Sequence, residues 1–91
     1  MYEWDKQKNA DNRAKHGLDF ADAEIVFEGV TLTFEDTRFD YGEPRFITFG
    51  LLDTRLVVIA HTPRDDKMRI ISMRKGNKRE HENFKKRLKT N

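Results

Sequence analysis

The segment Leu56–Lys75, LVVIAHTPRDDKMRIISMRK, carries the side chains best suited to chemistry. An apolar β-run, Leu56-Val57-Val58-Ile59, leads to His61 and Arg64 around an Asp65-Asp66 turn. A second run, Arg69-Ile70-Ile71-Ser72-Met73, leads out through Arg74 and Lys75. Imidazole exchanges protons near neutrality. Guanidinium stays charged and grips phosphate in a fork. Metal-free RNA cleavage needs a base for the 2′-hydroxyl proton, an acid for the leaving 5′-oxygen, and cations around the crowded phosphorane. His61 with Arg64, Arg69 and Arg74 supplies those types, His61 being the expected proton-transfer group. The same residues also suit a satisfied strand histidine flanked by exposed arginines, and residue type alone does not choose.

A second candidate is Lys15-His16-Gly17, where a histidine closing a helix favours its charged form and the lysine adds a phosphate donor. Glu43 and Glu80 are the carboxylates that can act as bases, though each also suits a cap or a solvated charge. Tyr2, Trp4 and Tyr41 can stack on bases, with Trp4 better read as a core anchor. His81, three residues before Phe84, reads as a flank of an apolar stripe. Three histidines at these separations, without cysteine, match no zinc spacing, so neither metal nor cofactor is expected. P-loop, GxGxxG and GxSxG motifs are absent from the sequence.

Residues 5–16 read as a helix, with Asp5 as N-cap and Gly17 at the left-handed C′ position. Its only apolar residues are Ala10 and Ala14, so Trp4, Leu18 and Phe20 must pin it from its ends. Residues 20–28 read as a second helix, Asp19 and Asp22 forming a capping-box-like start and Phe20, Ala23, Val26 and Phe27 recurring at helical spacing. Strands follow at 30–35, 45–52, 55–62 and 68–75. In the third, Val57, Ile59 and His61 share one side, and Leu56, Val58, Ala60 and Thr62 the other. Asn77 and Glu80 start a last helix with a narrow Phe84–Leu88 stripe. The expected fold is α+β: two N-terminal helices, a four-stranded antiparallel sheet and a C-terminal helix.

Ninety-one residues make one domain, 1–91. Hydrophobic residues are 36% against 37% charged, so the core must be small and much polar surface is left for partners. No apolar run reaches the roughly 20 residues that span a bilayer, and the first residues lack a leader pattern, so a soluble cytoplasmic protein is expected. The net charge of +2 hides a segregation. Residues 1–63 hold 7 Lys/Arg against 12 Asp/Glu, and residues 64–91 hold 11 against 4. A basic end on a near-neutral chain suits a polyanion or an acidic protein, and equally a solvated helix surface.

Several pieces in order resemble one family. They are Trp4-Asp5-x-x-Lys8, Asn12-x-x-Lys15-His16-Gly17-Leu18-x-Phe20, Ala23, Val26-Phe27, and Glu43-x-Arg45-Phe46 with Gly50. Val57-Val58-x-x-His61-Thr62-x-Arg64, Arg69-Ile70-Ile71-Ser72-x-Arg74 and Glu80 complete the set. The chain resembles the BrnT toxins of bacterial BrnT–BrnA type II toxin–antitoxin systems. The resemblance implies a RelE-like fold and a metal-independent ribonuclease that blocks translation. It implies neutralisation by a BrnA-like ribbon-helix-helix antitoxin in a 2:2 complex, through which alone operator DNA is bound. Carried over by position, the functional candidates are Lys15, His16, Glu43, His61, Arg64, Arg69, Arg74 and Glu80. Of these, Lys15, His16, His61, Arg64, Arg74 and Glu80 are the catalytic candidates, while Glu43 and Arg69, joined by Lys75, Lys78 and Arg79 of the basic end, are the RNA-binding candidates. RNA would lie along the exposed sheet face with its phosphates on Arg64, Arg69 and Arg74. Two positions depart from the pattern: Lys75-Gly76 stands where Arg-Ala is common, and the tyrosine usual near Phe84 is missing. The competing readings are a non-catalytic binding module that acts as co-repressor with a DNA-binding antitoxin, and an RNA-binding protein without chemistry.

Overall fold

The structure is a computed structural model that describes residues 1–89. Thr90 and Asn91, part of the expected domain, lie outside the described residues. The elements in order are β1 (Tyr2–Glu3), α1 (Lys6–His16), a 3₁₀ turn (Phe20–Asp22), α2 (Ala23–Glu28), β2 (Thr31–Glu35), β3 (Phe46–Leu52), β4 (Arg55–Arg64), β5 (Lys67–Lys75) and α3 (Lys78–Lys89). The α+β class stands. The expected layout of two N-terminal helices, four antiparallel strands and a C-terminal helix is corrected: the chain opens with a strand, and the sheet has five strands in mixed orientation, ordered β1-β5-β4-β3-β2. β1 adds parallel to β5, with Tyr2 opposite Met68 and Glu3 opposite Arg69. Two residues are too few to show alternation, so this strand has no signature in the sequence.

The antiparallel part is closed by two-residue connections. Asp53-Thr54 and Asp65-Asp66 each begin with an aspartate at positive φ (59° and 58°), which a short polar side chain tolerates. β4 and β5 are the longest strands and sit side by side next to the middle of the sheet.

One side of the sheet is covered by α1, the 3₁₀ turn and α2. Leu18, Phe20, Ala23 and Val26 pack there on Val57, Ile59, Ile70 and Met73. The second helix begins differently from expectation: Asp19 accepts from the Ala21 N–H, while Asp22 makes no side-chain cap. Trp4 stands edge-on to Phe20, 6.4 Å between ring centroids, and anchors the start of α1. α1 ends as its sequence demands, with Gly17 at φ 70° and its N–H on the Arg13 carbonyl. On the other side of the sheet, Phe84 of α3 is buried over Leu32 and Phe49. Asn77 and Glu80 form the reciprocal capping box at the start of α3. Gly76, one of the departures from the family pattern, fits this packing, because a Cβ there would meet Leu56 Cδ2 at 2.6 Å.

α1 is polar yet firmly seated, because its anchors are asparagines. Asn12, 8% exposed, donates to the Met73 carbonyl (2.9 Å) and the Leu18 carbonyl (3.3 Å) and accepts from the Met73 N–H (3.2 Å). Its amide pairs with β5 as another strand would, at Met73, four residues along β5 from Arg69 in the last β1–β5 pair. Asn9 accepts from the Phe20 N–H and donates to Asp19. Replacing Asn12 by alanine leaves a buried N–H and carbonyl unpaired, each worth about 1–3 kcal/mol. We expect Asn12→Ala to lower the unfolding free energy by roughly 2–4 kcal/mol in urea titrations, with Asn12→Asp at least as damaging because a carboxylate would face two carbonyls. Wild-type stability in both variants would refute this seating.

Candidate functional site

Strict alternation would send Arg69 and Arg74, five residues apart, to opposite faces of β5. They share a face because the β4–β5 register slips once. Ala60 pairs with Ser72 and His61 with Ile70, so a bulge leaves Ile71 without an opposing residue. On one side of the slip Arg74 lies opposite Val58; on the other, Arg69 lies opposite Thr62 and Arg64 opposite Lys67. All three arginines therefore stand on the face away from α1 and α2, the open face, which α3 covers only in part. Arg64 is six residues along β4 from Val58, or about 20 Å. The arginines form a track rather than a cluster around one point.

Each is held by a carboxylate. Arg64 reaches Glu43 (3.3 Å), Arg69 reaches Glu3 (3.0 Å), and Arg74 makes a two-pronged pair with Glu80 (2.8 Å on both arms). Hydrogen bonds and charge from Arg45 and Arg64 hold the Glu43 carboxyl below its ordinary pKa, and Arg74 does the same for Glu80. Glu80 in turn raises Arg74, against burial and the positive charge of nearby Arg38.

Two further cations join this face that spacing did not single out. Arg45 bonds Glu43 (3.1 Å) and lies over the Tyr41 ring at 4.4 Å. The available signal was alternation, which sets Arg45 with Ile47 and Phe49 on the side opposite Phe46; the stacking of Phe46 on His61 makes that the open side. Arg38 makes a two-pronged pair with Asp36, 2.9 Å on each arm, which holds Asp36 far below the usual carboxylate range. Its place in an irregular loop left no periodicity to locate it.

His61 is elsewhere. It pairs with Ile70 and points into the helix-covered side, 5% exposed. Phe27 stands edge-on to it and Phe46 lies against it. Its Nε2 is 2.7 Å from the Thr48 hydroxyl, itself 2.8 Å from the Thr33 hydroxyl. The sheet separates His61 from Arg64, Arg69 and Arg74. Lys15 is exposed and His16 half-buried at the end of α1. Since α1 follows β5 from Asp5 to Asn12 beside Met73, that end lies towards Lys75. Lys75, opposite Val57, is exposed on the helix-covered side, and Lys78 and Arg79 are exposed in the first turn of α3. Among the described residues, no three His, Asp or Glu side chains are arranged to hold a metal ion. No described helix is long and apolar enough to cross a membrane.

The sequence matches, over residues 4–80, the model of a family described as the ribonuclease toxin, BrnT, of type II toxin–antitoxin systems. No curated protein matches the chain.

Burial lowers the His61 pKa from 6.5 to about 4. The unfolded chain then takes up this proton below pH 6.5, the folded chain only near 4. Its contribution to stability is complete above the unfolded value and is lost as the pH falls between the two. We expect unfolding free energy to decline across that window, and His61→Leu to flatten the decline; an unchanged slope in the variant would exclude His61 as its source.

Proposed function

The chain belongs to the BrnT family of ribonuclease toxins of type II toxin–antitoxin systems, and from that membership we propose that it cleaves RNA, without a metal ion, along the open face of its sheet. The observation that carries the reading is the alignment of Arg64, Arg69 and Arg74 on that face, each oriented by a carboxylate. A guanidinium has five donors, so a carboxylate partner leaves others for phosphate. The RNA backbone runs from Arg64 past Arg69 and Arg45 to Arg74. Lys75, Lys78, Arg79, Lys15 and His16 meet it beyond the Arg74 end.

Glu43 is the base in this reading. It lies between the Arg45 and Arg64 guanidinium groups, so a phosphate gripped by both brings a 2′-hydroxyl to its carboxylate. Its lowered pKa keeps it ionised at neutral pH, at some loss of basicity. The 2′-oxygen bonds to phosphorus as the bond from phosphorus to the 5′-oxygen breaks; the arginines stabilise the phosphorane, and the departing 5′-oxygen takes its proton from solvent water on the open face. Glu80 fixes Arg74 in place. His61, expected to move protons, instead acts by position, filling the space between Phe27 and Phe46 behind the face. In the cell the chain would arrest translation in the cytoplasm. A BrnA-like ribbon-helix-helix antitoxin would neutralise it in a 2:2 complex that represses the operon.

Arg64→Ala and Arg74→Ala should each reduce RNA cleavage by about 10²–10³-fold while far-UV dichroism and urea unfolding stay close to wild type. Cleavage at the wild-type rate in both soluble variants would sink the assignment. Purified protein should still cut RNA in EDTA; activity lost to the chelator and restored by a divalent cation would reject the metal-free mechanism. Binding of the antitoxin by a chain that never cuts RNA would favour the co-repressor role.

A further inference from the structure

Four exposed apolar residues, Val30, Phe34, Leu51 and Leu88, gather at the β2 side of the open face, beside the Arg74 end of the arginine track. α3 and the sheet enclose a groove of about 470 Å³ there, walled by Leu32, Phe34, Phe49 and Phe84. Phe34 is 42% exposed, and Leu88, one turn beyond Phe84, is 38% exposed. The β2–β3 register extends the patch: Thr31 lies opposite Gly50, which places exposed Val30 beside exposed Leu51. β2 is also an outer strand of the sheet, with no strand beyond it among the described residues. Contiguous apolar surface of this kind on a small chain marks an interaction site.

Charge says what kind of partner fits. The groove's mouth carries Lys86 and Arg87, the latter over the Phe34 ring at 5.3 Å, and Lys85 and Lys89 lie on the same helix. A polycation finds no favourable seat here, and with Arg87 over the Phe34 ring and aliphatic Leu32, Leu51 and Leu88 around it, little ring face is left on which a nucleic acid base could stack. A polypeptide with apolar residues interrupted by Asp and Glu satisfies both halves. Membership of a type II family supplies a protein partner, the antitoxin.

We infer that this groove is the docking site for an acidic, amphipathic segment of the antitoxin, its apolar side chains on Phe34, Phe49 and Phe84 and its carboxylates on the lysines of α3. The inference rests on the family membership and its antitoxin partner, not on the RNA chemistry of the open face. Glu80 also lines the groove while holding Arg74. A segment seated there therefore abuts the end of the arginine track and reaches the RNA path without entering its centre.

The test is calorimetric titration of the full chain with its cognate antitoxin, in low and raised salt. Phe34→Glu and Leu88→Glu replace exposed residues and should weaken binding by about 30-fold or more. Lys86→Glu should weaken it several-fold and reduce its salt dependence. Wild-type affinity in both Phe34→Glu and Leu88→Glu overturns the site. Wild-type affinity in Lys86→Glu, with no effect of salt, overturns the acidic chemistry. Sedimentation showing a dimer that Phe34→Glu dissociates gives the groove to a second copy and likewise overturns the proposal. RNA cleavage is measured in parallel. If the wild type cuts no RNA yet antitoxin binding still depends on Phe34, the docking site stands and the catalytic reading falls.

Discussion

A single bulge opposite Ala60 and His61 is the constraint on which the rest of the molecule depends. A strand sends successive side chains to opposite faces, so one extra residue reverses the parity of everything beyond it. In β5 that reversal puts Ile70 and Met73, three residues apart, on the same core face, and Arg69 and Arg74 together on the other. Without it, either the core would lose one of its fully buried residues or the arginine track would be split by the sheet. Core packing and the candidate site therefore rest on the same irregularity. The hydrophobic face enforces it, because an unbulged register would expose apolar side chains and bury a guanidinium.

The open face is balanced rather than simply basic. Arg64, Arg69 and Arg74 each meet a carboxylate from a different element: the loop before β3, β1 and α3. Exposed ion pairs of this kind contribute little to stability. Their effect is orientation: the two-pronged Glu80 fixes the plane of the Arg74 guanidinium, and single bonds from Glu43 and Glu3 tether Arg64 and Arg69. Any anion that binds on this face must compete with the resident carboxylates. The pairing also ties three separate elements to the track.

The two edges of the sheet are handled differently. At β5, β1 covers the edge at Met68 and Arg69, and the Asn12 amide covers it again at Met73. The polar character of α1 follows from this duty, because its buried side meets backbone amides and carbonyls as well as apolar side chains. At β2 no strand lies beyond the edge among the described residues, and the exposed Val30, Phe34, Leu51 and Leu88 collect beside it. The charge segregation along the chain has a spatial counterpart: the basic C-terminal helix lies along that same side.

Much of this was legible in the sequence. Alternation and tight Asp-containing turns located four strands, Gly17 and Asp5 bounded α1, and Asn77 with Glu80 opened α3. Local hydrogen bonds and side-chain periodicity within one element specify these features, so a short window contains the information. The order of motifs was enough to indicate the family. What only the tertiary structure decided is which of these pieces meet. β1 is too short to show a pattern, and its pairing with β5 depends on residues 66 positions away. A register slip has no hydropathy signature, so the common face of Arg69 and Arg74, and the exclusion of His61 from it, follow from pairing with β4 alone. Asn12 looks like any polar helix residue until the Met73 backbone is brought against it. The type of chemistry was set by residue identity; the face on which each residue stands was set by the packing of strands far apart in the chain.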